Sequence, residues 1–192
     1  MKQQVGIIGA GAMGAGIAQV AATAGHKVIV YDTNASVLEK SKLNLASTLS
    51  KLVEKQKITK EKADEIIDLT EYATDLTAFK NCELIVEAII ENLEVKQKVF
   101  SDLEKIVSDS CVLASNTSSL SIASIASACK NNSRVVGIHF FNPAPLMPLV
   151  EIIPAITTSE QISKNAKELI ASWGKVTVLS KDTPGFIVNR VA

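Results

Sequence analysis

Two residues set in apolar surroundings, His139 and Glu151, give the first hint of chemistry. His139 lies in Val135-Val136-Gly137-Ile138-His139-Phe140, which reads as a strand. Glu151 lies in a second apolar run, Pro148-Leu149-Val150-Glu151-Ile152-Ile153. An isolated carboxylate in a buried strand is costly, so Glu151 needs a partner. The proline-rich stretch Asn142-Pro143-Ala144-Pro145-Leu146-Met147-Pro148 could fold the second strand back toward the first. A carboxylate that holds an imidazole fixes its tautomer and stabilises the imidazolium formed when the ring takes a proton. Two bland readings stand beside this one. His139 can be an ordinary core histidine, and Glu151 can face solvent on an edge strand.

A glycine-rich turn near the start supplies context. Gly9-Ala10-Gly11-Ala12-Met13-Gly14 fits G-x-G-x-x-G. The spacing alone is weak evidence. Here it follows the apolar run Val5–Gly9, opens a helical stretch, and precedes an acid, Asp32, that closes the next strand. In such a turn the first glycine permits the sharp bend, the second lets a pyrophosphate approach the backbone, and the third packs helix on strand. Free N–H groups at the helix start then bind the phosphates. Asp32 would accept from the adenine ribose hydroxyls and repel a 2′-phosphate, so the expected cofactor is NAD rather than NADP. With no zinc-ligand set in the sequence, the histidine carries the acid–base work. The chemistry implied is alcohol oxidation: proton to His139, hydride to the nicotinamide.

These residues must be held by something, and the chain alternates short apolar runs with longer amphipathic stretches. Strands are expected at Val5–Gly9, Lys27–Asp32, Leu84–Ala88, Cys111–Ser115, Val135–Phe140, Leu149–Ile153 and Val176–Ser180. Helices are expected at Ala12–Ala24, from Ser36 to Lys55, after Thr59, and at Leu93–Val107, Ser121–Ala128 and Ser159–Ser172. Repeated strand–helix alternation predicts an α/β fold: a doubly wound, mostly parallel sheet with helices on both faces. In such sheets ligands sit outside the carboxyl ends of the strands. The sequence places Glu91 and Lys96 after one strand, Asn116-Thr117-Ser118-Ser119 after another, and His139 and Asn142 at the end of a third. His139 therefore shares a rim with Ser118, Asn142 and the glycine turn, which favours the functional reading.

Composition narrows the classes further. The 192 residues carry 20 Lys+Arg against 20 Asp+Glu, and 47% are hydrophobic, enough for a core. Balanced charge without a basic stripe argues against nucleic-acid binding. No apolar run approaches the ~18–20 residues that span a bilayer, and no secretory leader is read. Cys82, Cys111 and Cys129 lack zinc-ligand or redox spacing, which reads as buried free thiols in a cytoplasmic protein. No metal site is expected. The helix pair spanning 36–69 exceeds a simple crossover and is lysine-rich, as a solvated face or as an arm for an anionic ligand.

Five segments together resemble the L-3-hydroxyacyl-CoA dehydrogenase family, of the short bacterial 3-hydroxybutyryl-CoA dehydrogenase type. They are Gly9–Ala18, Val86–Leu93, Ala114–Leu120, Gly137–Pro143 and Asp182–Arg190. The resemblance implies a Rossmann-like NAD-binding domain over 1–185 with a protruding helical hairpin. It implies His139 as catalytic base with Glu151 as its charged partner, and Ser118 and Asn189 at the reacting end of an acyl-CoA. Glu91, Lys96, Ser118 and Asn142 would line the cofactor, beside Gly9, Ala10, Gly11, Ala12, Met13, Gly14 and Asp32. On the arm, Lys55 matches a lysine that meets coenzyme A, and Thr48 stands where the family has a serine. The family also has a helical second domain that forms a homodimer, of which 186–192 would be the start. That domain is expected to be missing from this chain. Dehydrogenation of a free hydroxy acid, and NAD binding without catalysis, are the competing functions.

Overall fold

The computed structural model describes residues 2–191. The strands are β1 (Gln4–Ile8), β2 (Lys27–Tyr31), β3 (Thr70–Ala73), β4 (Leu84–Glu87), β5 (Val112–Ser115), β6 (Val135–Phe140), β7 (Leu149–Pro154) and β8 (Val176–Leu179). They form one sheet in the order β3-β2-β1-β4-β5-β6-β7-β8. All neighbours are parallel except β6 and β7, which are antiparallel. The chain reverses direction across the sheet at β1, which opens a crevice beyond the carboxyl ends of β1 and β4.

Helices cover both faces. They are α1 (Ala12–Thr23), α2 (Ala35–Glu54), α3 (Lys60–Asp68), α4 (Leu93–Glu104), α5 (Ile122–Ala126), α6 (Glu160–Ser172) and α7 (Val188–Val191). One core packs Ile17, Ala21, Leu49, Ile66 and Ile170 on Val5, Ile7, Val86, Val136 and Ile152. The other packs Phe79, Phe100, Leu103 and Ile125 on Ile85, Leu113, Val135 and Ile153. Successive strand residues thus enter opposite cores, as the period of two requires. Each such side chain, fully buried, contributes about 1.5–3 kcal/mol of transfer free energy.

The expected alternation is present, with strand and helix ends shifted by a few residues. Three elements lay outside the expectation: β3 and the 3-10 turns at Leu76–Asn81 and Asn132–Arg134. β3 is a four-residue edge strand, Thr-Glu-Tyr-Ala, without an apolar run of its own; its pairing with β2 makes it a strand. On α3, Ala63 and Ile66 face the core, whereas Ile67 stays exposed on the outer side. Cys82, Cys111 and Cys129 are free and buried, and burial pushes their thiols up to about 12, about 12 and about 11. No helix among the described residues is long and apolar enough to cross a membrane.

Candidate functional site

The glycine turn joins β1 to α1. Gly9 has φ +99, and a Cβ there would lie 2.5 Å from the Ala88 carbonyl oxygen. A Cβ on Gly14 would lie 1.8 Å from the Gly9 oxygen. A Cβ on Gly11 would meet nothing within 4 Å, so open space faces the backbone at that point. Asp32, just beyond β2, clasps the turn: its Oδ2 accepts from the Ala10 N–H at 2.9 Å and its Oδ1 from the Asn34 N–H at 3.0 Å.

Five helices carry an accepting side chain at their caps: Asn34, Thr59, Asn92, Ser121 and Ser159. The cap of α1 is Gly11, and no side chain bonds to its first turn among the described residues. The amides of Ala12, Met13 and Gly14 therefore stand at the open end of the turn without a side-chain acceptor. An uncapped helix start, a cradle that a Cβ would invade, and an acid at the next strand end fit the pyrophosphate and adenosine ribose of NAD.

Across the crevice, four polar residues share the sheet face that carries Ile85, Leu113, Val135 and Ile153. They are Glu87 on β4, Ser115 on β5, His139 on β6 and Glu151 on β7. His139 and Glu151 are direct cross-strand partners. The imidazole Nδ1 lies 2.8 Å from Glu151 Oε2, and the glutamate is fully buried. Glu151 therefore does not face solvent. An ionised carboxylate can only accept, so beside one Nδ1 is the donor, and in the neutral ring Nε2 then keeps its lone pair. Phe141 and Phe186 pack on the ring, with centroids at 4.5 and 5.7 Å.

The second oxygen of Glu151 is also engaged. Oε1 accepts the backbone N–H groups of Ile187 and Val188 at 2.9 and 3.0 Å. These belong to a strap, residues 182–189, that crosses the carboxyl ends of the strands. Asp182 begins it by accepting from the Ser121 hydroxyl and the Ile122 and Ala123 amides at 2.8–3.0 Å. Asn189 ends it by donating to the Ser118 carbonyl at 3.3 Å.

Glu91 gathers the remaining rim. Its Oε1 accepts from the Thr117 hydroxyl at 2.5 Å, the Ser118 N–H at 3.0 Å and the Ser119 hydroxyl at 3.0 Å. Burial alone would raise its carboxyl, but the Thr117 hydroxyl, the Lys96 ammonium and the Ser118 amide outweigh that and hold it below the usual carboxylate range. Lys96 does not stand at the surface of the groove. Its ammonium is buried beneath, 3.3 Å from Glu91 Oε2 and 2.6 Å from Glu87 Oε1. Glu87, fully buried, also accepts from the Ser115 hydroxyl at 2.7 Å. Glu87 escaped the reading of the sequence. The rule that singled out Glu151, an acid inside an apolar strand, applies equally to Leu84-Ile85-Val86-Glu87.

Thr48 and Asn142 border a cleft of about 700 Å³ between the hairpin and the body, together with Gln19, Tyr72, Trp173 and Lys175. Lys175 pins the proline-rich loop by donating to the Ala144 and Met147 carbonyls at 2.6 and 2.8 Å. Lys55 lies at the far end of α2, exposed and outside this lining. The structure thus joins His139 to Glu151, Ser118 to Glu91 and Asn189, and Asp32 to the glycine turn, and leaves Lys55 apart. No cluster of potential metal ligands occurs among the described residues.

Comparison with known proteins shows the family. Residues 4–183 match the family model described as 3-hydroxyacyl-CoA dehydrogenase, NAD binding domain. A 3-hydroxyadipyl-CoA dehydrogenase of Escherichia coli K12 is 43% identical over 190 residues, covering 99% of this chain and 40% of the relative. A mitochondrial hydroxyacyl-coenzyme A dehydrogenase of Homo sapiens is 44% identical over 195 residues, covering 98% of this chain and 62% of the relative. The crystal structure of 3-hydroxybutyryl-CoA dehydrogenase from Escherichia coli K12 superposes with a TM-score of 0.98 at 43% identity, covering 100% of this chain and 41% of that one. The chain therefore spans from about two fifths to less than two thirds of the length of these relatives. With the glycine turn, the sheet order and a match that runs nearly end to end, the chain belongs to the family of 3-hydroxyacyl-CoA dehydrogenase NAD-binding domains.

Proposed function

We propose that this chain carries the cofactor site and the acid–base pair of an NAD-dependent dehydrogenase that converts (S)-3-hydroxyacyl-CoA to 3-ketoacyl-CoA, with 3-hydroxybutyryl-CoA as substrate. The observation that carries the reading is the buried contact between His139 Nδ1 and Glu151 Oε2 at 2.8 Å, which leaves Nε2 as a base. Residues 1–185 act as the dinucleotide-binding body. Gly9, Ala10, Gly11, Ala12, Met13, Gly14 and Asp32 hold the dinucleotide, with Glu91, Ser118 and Asn142 along the groove and Lys96 supporting it from below. Bound NAD supplies the hydride acceptor. His139 takes the hydroxyl proton at Nε2, and Glu151 stabilises the imidazolium that results. Ser118 and Asn189 orient the reacting end of the substrate.

The cleft supports the coenzyme A part. Its lining includes Thr48 and Lys175. Lys55 at the tip of the same arm meets the nucleotide end. Fatty-acid or butyrate metabolism in the cytoplasm, by a homodimer, completes the proposal; light scattering of the gene product tests its assembly.

The test is NAD reduction by the gene product that contains this chain. (S)-3-Hydroxybutyryl-CoA is expected to be turned over, and free 3-hydroxybutyrate and gulonate-type acids are not. Faster turnover of a free acid overturns the substrate assignment. The 192-residue chain itself is expected to bind NADH, read by fluorescence. No saturable signal at millimolar NADH would remove the cofactor assignment.

A further inference from the structure

The strap that crosses the site does more than lie over it. Glu151 has four lone-pair directions to satisfy in a fully buried position. His139 takes one oxygen. The other is satisfied by two main-chain donors, the N–H groups of Ile187 and Val188. Among the described residues no Lys or Arg is paired with Glu151, so these donors are what holds its carboxylate in one rotamer. The strap is itself fastened at both ends, by Asp182 to α5 and by Asn189 to the Ser118 carbonyl. Between those anchors the backbone is turned by two left-handed residues, Gly185 at φ +78 and Phe186 at φ +49. For a bulky residue such as Phe186 this conformation is unfavourable and persists only where the surroundings enforce it. Its ring is buried against His139.

We propose that residues 185–188 are a positioning element for the His139–Glu151 pair: the Ile187 and Val188 amides hold the Glu151 carboxylate aimed at Nδ1, and so fix His139 in the tautomer with a free Nε2. This rests on the reading of His139 as the base. Four ionisable groups on neighbouring elements are engaged elsewhere. Glu91 and Lys96 pair with each other after β4, Glu87 pairs with Lys96, and Asp182 is bound to α5. A free histidine in water favours the opposite tautomer, with the proton on Nε2. The predicted signature of a loosened strap is therefore a change of tautomer and not only a loss of rate.

Val188→Pro tests this. Val188 is the first residue of α7, where proline fits the helical φ and deletes only the N–H. Imidazole ¹⁵N shifts of the 192-residue chain report the tautomer without any substrate. Wild type is expected to show His139 with its proton on Nδ1. Val188→Pro is expected to show a mixture with a substantial Nε2–H share, as is the control Glu151→Gln. A folded Val188→Pro chain with the wild-type shifts overturns the proposal. If that variant does not fold, amide exchange in the wild-type chain decides. Slow exchange at Ile187 and Val188 supports the contact, and free-chain exchange rates at both overturn it. Neither readout depends on cofactor binding or turnover, so failure of the dehydrogenase reading would show separately.

Discussion

A lysine that is 1% exposed survives only in company, and Lys96 keeps two carboxylates within reach, Glu87 at 2.6 Å and Glu91 at 3.3 Å. Removing one member of such a buried pair leaves an uncompensated charge, which typically costs about 3–5 kcal/mol. Lys96→Met is accordingly expected to lower unfolding free energy by about that amount in denaturant titration. Lys98→Met, which disturbs only the exposed contact with Asp102, is expected to change stability by less than about 1 kcal/mol. His139→Gln in the gene product should leave folding intact and cut acetoacetyl-CoA reduction by about 10²–10⁴, the scale of a lost general acid–base group. An unchanged rate removes His139 from its proposed role. At this scale the sequence was informative where a polar side chain interrupts an apolar strand, as His139 and Glu151 do. It was silent on Ile187 and Val188, because a backbone N–H is the same in every residue type but proline. Lys96 shows a third case. It was expected along the cofactor groove, and the buried Glu87 on β4, together with Glu91, explains why it lies beneath.

Among the elements, the glycine turn separates two tasks that one motif combines. Gly11→Ala places a methyl in open space at φ −68, a conformation any residue adopts. Its melting temperature should match wild type while NADH affinity falls at least about tenfold, or ~1.4 kcal/mol. Gly14→Ala drives a methyl into the Gly9 carbonyl at 1.8 Å, so melting temperature and binding should fall together. Equal affinity for wild type and Gly11→Ala would show that the cofactor does not approach that backbone. The turn, the strand–helix alternation and the Thr59 cap were legible because each has a local signal: glycine spacing, period, a hydroxyl before a helix. β3 was not legible, since its four residues become a strand only by pairing with β2. Nor could periodicity tell that β7 runs antiparallel to β6; the prolines only made that reversal possible.

For the molecule as a whole, acid should act through His26. Its ring is buried, its Nδ1 accepts the Gln3 N–H at 3.0 Å, and it lies 5.5 Å from Trp173. Burial lowers its pKa below the ordinary value of 6.5. The unfolded chain then binds the proton more readily, so stability is complete above about 6.5 and declines as pH falls below it. A melting temperature that drops between pH 7 and pH 5 is expected. His26→Asn keeps an acceptor for Gln3 and should flatten that part of the profile. An unaltered slope would assign the loss to other groups.

The antiparallel pairing of β6 with β7 has a consequence for how such a protein can diverge. His139 and Glu151 meet because their strands are locked in register, not because the segment between them has a given length. The length of the segment between them, residues 141–148, can therefore change without shifting the register that pairs them. A single residue inserted within β7 would instead turn Glu151 to the opposite face and strand the histidine. Freedom to vary and a fixed pairing of two side chains thus lie in adjoining stretches of the same hairpin.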